Sequence, residues 1–104
     1  GTKEADLFAA GILLFEARYG FFPSQELHAL RQDLKAVFRY LFSFCTEGAY
    51  ARLYKEEIKR MTHHERTGEP IDELAGLIAG LLHPDPSQRP VASEVLERIA
   101  QIKQ

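Results

Sequence analysis

From Leu7 to Phe15 the chain carries no charge and no polar side chain. A surface helix shows polar positions on one side every three or four residues, so this run predicts a central helix covered on all sides. It is too short to span a membrane, which takes about 20 apolar residues. Asp6 stands at its entrance, Thr2 is the expected N-cap, Glu4 lies in the first turn, and Gly20 is the expected stop. A carboxylate at the mouth of a buried helix has to be paired or hydrogen-bonded, and the free amides of a helix N-terminus favour negative charge there.

The remaining apolar positions recur at helical spacing. Phe21, Phe22 and Pro23 form an apolar turn, after which Ser24 caps a second helix. Leu27, Leu30, Leu34, Val37, Phe38, Leu41 and Phe42 make its stripe, which Cys45 continues and Gly48 ends. A third helix carries Tyr50, Leu53, Tyr54, Ile58 and Met61 on one side, with Lys55, Glu56, Lys59 and Arg60 opposite and Glu56–Arg60 as a favourable i,i+4 pair. Residues 63–70 are polar and read as a loop. A fourth helix covers about 72–82, with Leu74, Leu77, Ile78, Leu81 and Leu82 inward, and His83-Pro84-Asp85-Pro86 stops it. A last helix, about 92–102, turns Val95, Leu96, Ile99 and Ile102 inward. With no sustained strand alternation, the expected fold is all-α, about five helices around a buried central one.

Composition narrows the function classes. The chain has 104 residues, 45% of them hydrophobic, the size and make-up of one packed domain or part of one. Net charge is −2, which argues against nucleic acid or an anionic membrane as partner. One cysteine, Cys45, cannot form an internal disulfide and suits a reducing, intracellular compartment. On its apolar stripe it reads as a buried inert thiol, because nothing nearby in sequence lowers its pKa. Neither a signal peptide nor a low-complexity tract is visible, and Gly1 reads as a cut end rather than a natural start. His63-His64-Glu65 lacks the second histidine that a zinc-protease signature needs, because Gly68 stands four residues after His64. It reads as a solvated loop.

Two blocks together resemble one family. Asp6-Leu7-Phe8-Ala9-Ala10-Gly11-Ile12-Leu13-Leu14-Phe15-Glu16, followed by Gly20-Phe21-Phe22-Pro23, is similar to the long buried helix of the eukaryotic-type protein kinase C-lobe. Leu81-Leu82-His83-Pro84-Asp85-Pro86-Ser87-Gln88-Arg89-Pro90-Val91-Ala92-Ser93-Glu94-Val95-Leu96 is similar to the ending of the same domain. The resemblance implies structural roles. Asp6 would hydrogen-bond the backbone of the catalytic loop, and Arg89 would form a buried ion pair with a glutamate just after the activation segment, upstream of Gly1. Leu13 and Ala17 would sit at the base of the hydrophobic column under the adenine.

The motifs that hold ATP and Mg²⁺ in that family are missing: the glycine-rich loop, the strand lysine, the His-Arg-Asp loop, the Asp-Phe-Gly and the Ala-Pro-Glu. Residues 1–104 are therefore expected to be part of a single kinase-like domain, the C-lobe after the activation segment, with no catalytic, cofactor or metal residue of its own. The resemblance implies a complete serine/threonine kinase that uses ATP and Mg²⁺ on protein substrates. The Cys-Trp pair that tyrosine kinases commonly show before Asp-Pro is absent. Val91 stands where a serine or threonine N-cap is usual, ahead of Glu94. Glu16 occupies a position that some kinases use to hold a substrate arginine, but a local ion pair with Arg18 or another base is expected. The stripe from Leu27 to Phe42 reads first as core; the aromatic surplus in Phe38, Tyr40, Phe42 and Phe44, more than one face can bury, makes a docking surface for a substrate or regulatory protein over residues 25–62 the alternative. A kinase-like interaction module without catalysis and an unrelated all-α binding domain are the alternatives.

Overall fold

A computed structural model of the chain describes residues 3–20 and 49–102. Helix α1 (Lys3–Tyr19) is followed by α2 (Ala49–Leu53), a π-helical turn (Tyr54–Ile58) and α3 (Lys59–Thr62), which run into one another as a continuous rod. After a loop come α4 (Glu73–Leu81), a 3₁₀ turn (Pro86–Gln88) and α5 (Ala92–Ile102). The described residues form helices and no strand, an all-α arrangement in which one isolated bridge, His63 to Pro70, closes the loop. The expected N-cap Thr2, the helix from Ser24, Cys45 and the docking surface up to residue 48 lie outside the described residues.

Helix α1 is buried on one face only. Phe8, Ile12 and Phe15 are fully buried, at spacings of four and three. Asp6, Leu13 and Ala17 are exposed, Leu13 at 56%. At 100° per residue these three fall within about 40° of one line, opposite the buried stripe. The expectation of a helix covered all round is corrected here: an uninterrupted apolar run does not fix how wide a face its neighbours cover, and Leu13 is left on the uncovered side. Gly20, with φ at +81°, ends the helix as expected, and its N–H donates to Glu16 O at 2.8 Å.

The rod owes its shape to a spacing of four. Tyr50, Tyr54, Ile58 and Thr62 are all buried. In a 3.6-residue helix such a row drifts around the axis. The π turn adds a residue per turn and keeps the row in line; Lys59 N–H donates to Tyr54 O across it. Thr62 joins the core by giving its hydroxyl back to Ile58 O at 2.8 Å. The expected Glu56–Arg60 pair does not close.

Helix α4 lies between α1 and α5. Asp72 caps it, accepting Ala75 N–H at 2.8 Å. At its other end the orphan carbonyls meet two tyrosines from the rod: Tyr50 Oη donates to Leu82 O, and Tyr54 Oη to Ala79 O at 2.8 Å. Burial pushes the Tyr54 phenol up to about 12. Two apolar clusters result. Phe8, Ile12, Phe15 and the rod meet Ile78 and Leu82, while Leu77, Leu81 and Val95 close the other side. In α5 the inward face is Val95, Ile99 and Ile102, with the latter two half-buried. Leu96, expected inward, is 70% exposed, because it lies one residue and about 100° away from Val95.

Candidate functional site

Arg89 follows the 3₁₀ turn in an extended conformation and is 6% exposed. A buried guanidinium requires hydrogen-bond partners or charge compensation. Arg89 Nε donates to His83 O at 2.8 Å and Nη2 to Pro84 O at 3.4 Å. Its Cζ lies 5.0 Å from the centroid of the Phe8 ring, a cation–π contact in a desolvated place. The Asp-Pro-x-x-Arg segment therefore wraps its own arginine and seats it against the central helix. Asp85 builds the wrap: its carboxylate accepts Ser87 N–H at 3.0 Å and the Ser87 hydroxyl at 2.8 Å, which hold its carboxyl below the usual range.

His83 completes the segment. Its Nδ1 accepts Asp85 N–H at 3.0 Å, and its ring lies 5.3 Å from that of Tyr54. Burial is the main cause that lowers its pKa below the ordinary 6.5, and Arg89 and Lys59 add to it; the nearby Asp85 carboxylate acts the other way.

Asp6 occupies the first turns of α1 with its side chain in solvent. The pairing expected of a carboxylate at a buried mouth is not required, because the mouth is open. Arg89 packs on the closed face with Phe8, and Asp6 lies on the opposite face, so the two candidate residues lie on different sides of α1. Asp6 shares its side with Leu13 and Ala17. Glu16 is half-buried, and Arg18 turns to another carboxylate. Arg18 Nη1 and Nη2 meet Asp72 Oδ1 and Oδ2 at 2.8 and 2.6 Å. This two-pronged pair ties the end of α1 to the cap of α4 and holds the Asp72 carboxyl below its usual value. The sequence spacing, more than fifty residues, gave no sign of it.

In the loop after the rod, His63 Nδ1 lies 2.8 Å from Thr62 Oγ1, and burial with the Lys59 charge lowers its pKa. Among the described residues no group of three His, Cys, Asp or Glu side chains converges as metal ligands. No helix among them is long and apolar enough to cross a membrane. Compared with protein-family models, curated proteins and solved structures, the chain matches none.

Proposed function

We propose that the chain is the C-terminal helical part of the C-lobe of a serine/threonine protein kinase-like domain, a scaffold bracing catalytic and activation segments that other residues supply. The complete domain transfers the γ-phosphoryl group of ATP, with Mg²⁺, to serine or threonine hydroxyls of protein substrates. ATP and Mg²⁺ would be held by residues of the complete domain other than these, since the glycine-rich loop, His-Arg-Asp and Asp-Phe-Gly motifs are not in this sequence.

The burial of Arg89 against Phe8 of α1 carries the reading, since the second motif places that arginine in the interior; the exposed flank of α1 leaves room for a neighbouring segment. The residues that the resemblance assigns to bracing on this helix, Asp6, Leu13 and Ala17, are the ones that share that flank. A single exposed leucine is ordinary on a protein surface, so it is the coincidence of the three positions on one side, not Leu13 alone, that supports the reading.

The gene product carrying this chain, given ATP and Mg²⁺, is expected to phosphorylate serine or threonine on a protein acceptor. Asp6→Asn is expected to lower kcat about a hundredfold with the helical circular dichroism unchanged, the loss that about 1 Å of misplacement causes. A product that transfers no phosphoryl group favours the interaction-module reading. Transfer that Asp6→Asn leaves untouched removes Asp6 from the bracing role.

A further inference from the structure

The π turn that stacks the core residues also stacks the polar ones. With the same spacing of four, Lys55 and Lys59 form one row along the rod and Glu56 and Arg60 the next, while His63, in an extended conformation, and His64 follow past the rod's end. These residues, with Glu65, line a surface groove of about 490 Å³, within the size range of small-ligand sites, roughly 300–1,000 Å³. The loop that closes the groove is fixed: His64 N–H donates to Glu69 O and Gly68 N–H to His64 O, each at 2.8 Å. Cations in the last turn of a helix complement its dipole, which accounts for Lys59 and Arg60. It accounts neither for Lys55, further back along the rod, nor for His64, beyond the rod's end.

We infer that this groove binds a phosphate monoester borne on a peptide. Lysine and arginine lining one groove favour a compact oxyanion, to which arginine can offer two parallel N–H groups. Glu56 and Glu65 lie in the same lining and repel a continuous polyanion, so one phosphate on a short segment fits where a nucleic acid does not. The rows of charge are a product of the rod's own geometry, and the site stands whether or not the chain belongs to a kinase-like domain.

The test is a nuclear magnetic resonance titration of the ¹⁵N-labelled full chain with inorganic phosphate, with a phosphoserine peptide, with the same peptide unphosphorylated, and with sodium chloride at matched ionic strength. Saturable shifts at the amides of Lys59, Arg60, His63 and His64 are expected with phosphate and, at lower concentration, with the phosphopeptide. Replacing both Lys59 and Arg60 by glutamine is expected to weaken phosphopeptide binding by at least about tenfold, the scale of one charge-assisted hydrogen bond, and Lys59→Arg to retain it. Lys55→Gln, at an exposed position near the middle of the rod, gives a second reading if the double variant misfolds, with severalfold weakening expected. Shifts reproduced by sodium chloride, or spread equally to Arg52 and Arg98, overturn the site. Inorganic phosphate binding as tightly as the phosphopeptide overturns the peptide assignment.

Discussion

At Gly11 there is no room for a methyl group. A Cβ there would lie 2.8 Å from Leu81 Cβ and 3.0 Å from Leu82 Cδ2, where α1 crosses α4. Alanine is the better helix former by about 1 kcal/mol, but forcing the two backbones apart costs roughly 1–3 kcal/mol. Gly11→Ala is therefore expected to lower stability, as a denaturant melt would show. His83 sets a pH dependence. Its folded-state pKa is below the ordinary 6.5, so the unfolded chain binds more protons around that pH. The stability it contributes is present above 6.5 and lost as pH falls, when protonation also takes Nδ1 from Asp85 N–H. His83→Asn, whose amide oxygen can accept the same hydrogen bond, is expected to flatten the loss of melting temperature on the acid side. His63, whose pKa burial and the Lys59 charge also lower, sustains the slope that remains.

Helix α5 begins without a side-chain cap. Val95 N–H reaches Val91 O at 3.0 Å, and the Val91 side chain is 63% exposed. Val91→Thr places a hydroxyl where the first free amides need an acceptor, with Glu94 in position to complete a capping box, and is expected to add about 1 kcal/mol of stability in a thermal melt. That weakness was legible from sequence, as were the bounds of α4 and α5 and the loop at 63–70, because caps, prolines and periodicity are local. The π turn was not. Its trace lies in the spacing of Tyr50, Tyr54, Ile58 and Thr62, and the last of these is polar, so an apolar stripe read at 3.6 residues per turn chooses Met61 instead. Leu96 misled for the reverse reason: the pattern gives the periodicity of a helix but not how wide a face its neighbours cover.

Across the whole molecule the open flank separates two neighbours on α1. Ile12 is fully buried and Leu13 is 56% exposed. Ile12→Ala is expected to cost about 2–5 kcal/mol, whereas Leu13→Glu should change stability by no more than about 0.5 kcal/mol, as paired denaturant melts would resolve. If the flank is a seat for another segment, the wild-type chain should bind a hydrophobic dye or self-associate, and Leu13→Glu should reduce both. Of the candidate site, the burial of Arg89 was anticipated from its motif, but its packing on Phe8 was not, since nothing local joins positions so far apart in the chain. That stacking knots the first helix to the approach of the last. Neither can peel away alone, so slow amide exchange at Ile12 and at Val95 should accelerate together. A nick between Leu82 and Arg89 would then loosen the opening helix as surely as the closing one.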